Sequence, residues 1–220
     1  MPEQNKLGPY FAFDGLPKSG KSTQLRLLVP ILELAYPDRK IVVTREPGGT
    51  PLADAIRGLA MGFMYTPEMT DVCEAYLYAA SRAHTLRVIV RPAQKMGAIV
   101  ICDRSYFSSI AIQGAARGLG ESVVRNINQE AVGSIRPHRV IYLDEAPEVC
   151  VMRAAENRDM GDKFEAMKVE FFEKIRQGYF MASLQPENRF ETINTTGKSI
   201  EEIHGVIVVS VLRFLEEYFT

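Results

Sequence analysis

Residues 15–22 read Gly15-Leu16-Pro17-Lys18-Ser19-Gly20-Lys21-Ser22, a complete G-x-x-x-x-G-K-S pattern. The apolar run 10–13 precedes it and an amphipathic helical pattern over 21–36 follows, which is the strand–loop–helix setting that such a pattern requires. The residue types matter chemically. Glycines let successive backbone N–H groups turn inward around an anion, and the start of the following helix adds a partial positive charge. Gly15, Ser19 and Gly20 are therefore expected to frame a phosphate cradle. Lys21 is expected to reach the β- and γ-phosphates of a nucleoside triphosphate, and the Ser22 hydroxyl to take a position on Mg²⁺.

Outward from this loop, short apolar runs alternate with longer helical patterns. The runs are 10–13, 41–44, 98–102, 139–143 and 190–193, each too short for a helix and mostly apolar throughout. That is the pattern of strands buried on both faces. Helical patterns cover 21–36, 51–61, 70–95, 122–135, 147–156, 164–183 and 200–218, the last with Ile203, Ile207, Val211 and Leu215 along one face. Strictly alternating β and α predicts an α/β fold with a parallel sheet flanked by helices. With no repeat and no linker-like stretch, residues 1–220 are expected to form one domain. A P-loop fixes a ligand and not a reaction, since GTPases, motor ATPases and small-molecule kinases share it.

A second buried run ends in Asp103-Arg104. Ligands in open parallel sheets gather at the carboxyl ends of strands, so Asp103 is expected beside the cradle, holding Mg²⁺, with Arg104 on a phosphoryl oxygen. The run 41–44 leads into Arg45-Glu46-Pro47-Gly48-Gly49-Thr50, whose proline and glycines mark a tight turn. There Arg45 is expected to meet a phosphate and Glu46 to lie near the metal.

Bulk composition narrows the field. Hydrophobic residues make up 46% of 220 and the formal charge is −1, with no basic tract, which excludes a disordered chain and disfavours a nucleic-acid partner. Cys73, Cys102 and Cys150 stand singly, without metal-site spacing, as expected of reduced thiols in a cytoplasm. No leader pattern is visible in residues 1–13 and no apolar run reaches membrane-spanning length, so a soluble cytoplasmic protein is expected. His84, His138 and His204 are scattered and suggest no catalytic set.

Several further blocks carry a resemblance. They are TREPGGTPLADAIR at 44–57, LYAASRAH at 77–84, DRSYFSSIAIQGAARGL at 103–119, RVIYLDEAPEV at 139–149, DKFE at 162–165 and EFFEKIRQGY at 170–179. With the P-loop and the Thr23-Gln24 that follows it, they resemble the bacterial thymidylate kinase family from about Phe11 to Tyr179. The resemblance implies a P-loop NTPase fold with a five-stranded parallel sheet in the order 2-3-1-4-5 and a small lid over about 153–163. It implies ATP and Mg²⁺ as cofactors, dTMP as the small-molecule substrate, and a homodimer. Thr23 and Arg153 then fall on ATP, Tyr78 on the thymine face, and Arg82 on a base carbonyl. Ser109 and Gln113 face the base edge, and Arg45, Arg57 and Arg104 surround the acceptor phosphate.

Three residues depart from the family pattern. Pro17 stands where an acidic residue is common, and Ile112 where a tyrosine often excludes a ribose hydroxyl. These two keep a related pyrimidine monophosphate such as dUMP open as acceptor. Lys18 stands where bacterial members usually have glycine, so either Lys18 or Arg158 of the lid could stabilise charge on the migrating phosphoryl. A regulatory ATPase and an inert nucleotide binder are the rival classes. No guanine-type NKxD motif occurs.

Overall fold

The computed structural model describes residues 7–61, 69–156 and 168–220. Five parallel strands form one sheet: β1 (Tyr10–Gly15), β2 (Ile41–Arg45), β3 (Ile99–Asp103), β4 (Arg139–Asp144) and β5 (Phe190–Asn194), in the order β2-β3-β1-β4-β5. This is the order that the sequence resemblance implied. Each strand begins within a residue of its apolar run and extends one or two residues further, into the polar residues that carry chemistry.

Period-two alternation sends β1 into two cores. Tyr10 and Ala12 join one cluster, with Val100, Cys102, Phe107, Val140 and Tyr179. Phe11 and Phe13 join the other, with Leu28, Leu32, Ile141, Ile207 and Val211. Only the inner strands are sealed on both faces. The edge strands β2 and β5 are partly exposed, with Val43 and Glu191 not buried, because an outer strand has a neighbour on one side only.

Nine α-helices lie among the described residues: α1 (Lys21–Ala35), α2 (Pro51–Met61), α3 (Asp71–Thr85), α4 (Arg91–Lys95), α5 (Tyr106–Ser109), α6 (Glu121–Val132), α7 (Pro147–Glu156), α8 (Val169–Ser183) and α9 (Ile200–Phe219). Two corrections to the sequence reading arise here. The single helix expected over 70–95 is interrupted by a wider π turn at Leu86–Val90. Residues 103–119, read as motif without structure, form α5 and a π segment, Ile110–Ala116. The latter packs on α8 backbone to backbone. A Cβ at Gly178 would lie 2.8 Å from the Ala111 Cα, so no larger residue fits there without movement.

His138 fastens the start of the sheet. Its Nδ1 accepts from the Tyr10 N–H at 2.9 Å, and its Nε2 lies 3.5 Å from the Tyr218 hydroxyl on α9. Burial, then Arg189 and Arg91, lowers its pKa from 6.5 to about 4. The unfolded chain therefore binds the extra proton between those two values, and the native state loses stability as pH falls through that window. Allowing for partial exposure, the wild type should lose about 1–2 kcal/mol more than His138→Gln between pH 7 and pH 4.5, read from urea midpoints. Equal losses in the two proteins would contradict this role.

Candidate active site

β1 ends at Gly15, where a Cβ would lie 2.7 Å from the Leu143 carbonyl and 2.8 Å from Ser19 Oγ, so the strand can turn there only without a side chain. The loop then curls over Lys21, whose Nζ donates to the Leu16 carbonyl at 2.7 Å and to Gly15 O and Ser19 Oγ at 3.3 Å. The Ser22 hydroxyl donates to Asp103 Oδ2 at 2.9 Å. Residues 18–24 floor a cleft whose far wall is Arg153, Lys198, Ile200 and Ile203. Arg153 spans Glu145 and the Lys18 carbonyl, both at 3.3 Å. Of the residues expected at ATP, Lys18, Ser19, Gly20, Lys21, Ser22, Thr23 and Arg153 line this cleft, whereas Gly15 does not, and Gln24, Lys198, Ile200 and Ile203 were not foreseen. The turn Thr196-Gly197-Lys198 after β5 was the available signal.

A second pocket opens on the other side of the loop. Among its lining residues are Arg57, Tyr78, Arg82, Arg104, Ser109 and Gln113, six of the residues expected to hold an acceptor, together with Pro17, Glu46, Pro47, Ser108 and Ile112. Helix α3 carries the key wall, because Glu74, Tyr78 and Arg82 recur every four residues on its buried face. Arg82 is 1% exposed and makes four hydrogen bonds. It donates to Glu46 Oε2 at 2.6 Å, to Ser105 O at 3.3 Å, to Ser109 Oγ at 3.2 Å, and to Asn128 Oδ1. Gln113 donates to Glu74 Oε1 at 2.7 Å. Glu74 and Asn128 were not foreseen.

Two expected residues sit elsewhere. Strand alternation turns Thr44 and Glu46 inward and leaves Arg45 outward. Arg45 pairs with Asp54 at 2.7 Å in a neighbouring recess that includes Ser22 and Asp103, and does not line the second pocket. Glu46 turns its carboxylate to Arg82 and, at 3.4 Å, to the Tyr10 hydroxyl. Burial raises the Glu46 pKa, while Arg82 pulls it back. Arg158 and most of the lid lie outside the described residues. Lys18 and Arg104 both adopt positive φ, 63° and 77°, a conformation costing about 1–3 kcal/mol in non-glycine residues and concentrated at functional sites.

Comparison with known proteins decides the family. The thymidylate kinase family model matches residues 13–207. The thymidylate kinase of Symbiobacterium thermophilum is 39% identical, over 94% of this chain and 92% of its own length. That of Geobacillus thermodenitrificans is 35% identical, over 95% and 92%. The crystal structure of thymidylate kinase from Ehrlichia chaffeensis superposes with a TM-score of 0.72 at 26% identity, covering 94% of this chain and 98% of that one. The chain belongs to the thymidylate kinase family. Within this thymidylate kinase fold, Pro17 and Ile112, the two departures that bear on the acceptor, both line the second pocket.

Burial, then the nearby charge of Arg104, lowers Lys21 from 10.5 to about 7, while Asp103 and Asp14 pull it back up. A bound polyphosphate favours the charged ammonium, so binding takes up a proton wherever the empty loop has lost one. Affinity is therefore full below pH 7 and declines as pH rises through it, by at most tenfold per unit. Above pH 7.5 the nucleotide's own terminal phosphate is already ionised. Calorimetry of ATP binding in EDTA should show proton uptake at pH 8 and a Kd about eightfold weaker at pH 8.5 than at pH 7.5. A flat Kd with no uptake would contradict it.

Proposed function

We propose that this chain transfers the γ-phosphoryl group of ATP to dTMP, giving ADP and dTDP. One observation carries the reading. Arg104 lines the acceptor pocket and its Nη1 donates to the Gly15 carbonyl at 3.1 Å, so one guanidinium touches both the donor loop and the acceptor site. Phosphoryl transfer needs two anions brought in line and their charge neutralised. Lys21 and the loop N–H groups hold the donor, while Arg104 and Arg57 hold the acceptor phosphate, whose own anionic oxygen attacks. Lys18, or Arg158 from the lid, offsets charge on the migrating group. Tyr78 stacks on the pyrimidine and Arg82 is aimed at its edge by Glu46 and Asn128.

The Ser22 and Asp103 oxygens are hard donors in contact, which suits an ion that prefers few protein ligands beside phosphates and water. Mg²⁺ held there would neutralise the β- and γ-oxygens. The unpaired thiols Cys73, Cys102 and Cys150 agree with a cytoplasmic setting. Exposed Leu52 and Leu59 on α2 and Val72 and Tyr76 on α3 offer an apolar face for a homodimer. No helix among the described residues is long and apolar enough to cross a membrane.

Pro17 brings no carboxylate to the acceptor sugar and Ile112 no hydroxyl against a ribose, so a related pyrimidine monophosphate such as dUMP is the alternative acceptor to dTMP. ADP release should be measured with dTMP, dUMP, UMP, CMP and dGMP. The highest kcat/KM is expected with dTMP, and release without any acceptor would point instead to an ATPase. Lys21→Ala should lose about 10²-fold or more in kcat, and retained turnover would count against the scheme. Tyr78→Ala should raise the dTMP KM by about tenfold or more through lost stacking, with the ATP KM little changed. Comparing kcat for Lys18→Ala and Arg158→Ala assigns the catalytic cation, which is the one whose loss costs more.

A further inference from the structure

Asp14, the last side chain of β1 before the loop, acts above only through its charge on Lys21 and is 0% exposed, so it touches neither substrate. Three hydroxyls nevertheless converge on it. Ser105 Oγ donates to Oδ2, Ser108 Oγ to Oδ1 at 2.6 Å, and the Tyr179 hydroxyl to Oδ1 at 3.1 Å. Ser108 and Tyr179 lie 2.7 Å from one another. Both also receive Nη1 of Arg104, at 3.2 and 3.5 Å.

The directions of these bonds are decisive. A hydroxyl has one proton to give and lone pairs to receive with, whereas a carboxylate only accepts. Ser108 gives its proton to Asp14, and Tyr179 shares its own between Asp14 Oδ1 and Ser108 Oγ, so both hydroxyl oxygens are left facing Arg104 as acceptors. The tyrosine ring cannot turn away, because it is buried and stacked on Tyr142 at 5.0 Å. The Arg104 backbone is fixed as well, with its N–H on the Phe13 carbonyl at 2.8 Å and φ at 77°.

We propose that Asp14 is a positioning residue for phosphoryl transfer: by orienting the Ser108 and Tyr179 hydroxyls, it aims the Arg104 guanidinium across the Gly15 carbonyl into the acceptor pocket. The inference rests on the kinase reading for its kinetic consequence and on geometry alone for its structural one. Removing Asp14 leaves the Tyr179 proton on Ser108 and frees the Ser108 proton to turn toward Arg104, and a donor facing a guanidinium expels it.

The test is a double-mutant cycle with Asp14→Val, which is close in shape and lacks both oxygens, and Arg104→Ala. Asp14→Val should raise the dTMP KM or lower kcat about 10- to 100-fold, with the ATP KM changed less than threefold. In the Arg104→Ala background the same substitution should cost less than about twofold, because its effect passes through Arg104. Full additivity, or equal damage to both substrates, would overturn the proposal. Asp14→Asn, which keeps one acceptor oxygen, guards against misfolding and should lose less than Asp14→Val. A crystal structure of ligand-free Asp14→Val tests the geometry independently of turnover. Arg104 should have left Gly15 O and Ser108, and an unmoved guanidinium would overturn the inference even if the kinase reading held. A wild type inert toward every monophosphate would sink that reading while leaving this structural arm to decide.

Discussion

The parallel pairing of β1 with β3 sets Phe13 opposite Asp103 at the centre of the sheet, and the chain leaves both strands at the same spot. β1 passes through Gly15 into the loop, and β3 turns sharply at Arg104. The Arg104 backbone N–H is bonded to Phe13 and its side chain to Gly15, so the two exits are tied together. Ser22 and Asp103 meet across the same junction. Two cations, Lys21 and Arg104, are thereby brought close enough that Arg104 depresses the Lys21 pKa. Such crowding is unfavourable in an empty site, with Asp14 and Asp103 offsetting part of it. Bound polyanions would complete the neutralisation, which is how a site is preorganised for a charged transition state.

Rigidity follows from the same junction. The wall of the second pocket stands on α3 and on the packed segment after β3, where Arg82 is held by several partners and Gly178 lets α8 approach the 110–116 backbone. Side chains locked in this way hold a substrate at fixed geometry, which a loop would do less well. The cost is that several buried polar groups must all be satisfied at once. Asp14, Glu46, Glu74 and Asn128 meet that demand by accepting from Ser108, Arg82, Gln113 and Arg82 in turn.

Much of this was legible in the chain because its signals are local. The octapeptide at 15–22 and the five apolar runs specify a strand–loop–helix unit in an alternating α/β protein, and the family blocks supplied the strand order. The residues missed act through distance in space. Asp14 directly follows an apolar run and meets Tyr179 across 165 positions, a pairing that no periodicity announces. Lys198 and Ile200 reach the first cleft because α9 packs on α1, where Gln24 donates to the Ile200 carbonyl at 3.0 Å. Residues 106–116 were unreadable as helix because Tyr106, Phe107, Ile110 and Ile112 do not keep a 3.6-residue repeat, and the segment 110–116 is wound as a π turn. Arg45 and Glu46 were assigned by motif alone, and strand alternation separates them. A period-two reading of Thr44, Arg45 and Glu46 could have shown which side each faces.

The central claim is that one strand junction presents two anion pockets facing each other, and a molecule that fills both tests it most directly. A pentaphosphate joining adenosine at one end to thymidine at the other should compete with ATP and with dTMP alike. In a crystal its thymine should lie on Tyr78 and its phosphates should run past Lys21 and Arg104. Competition with ATP alone, with the thymidine end away from Tyr78, would contradict the account.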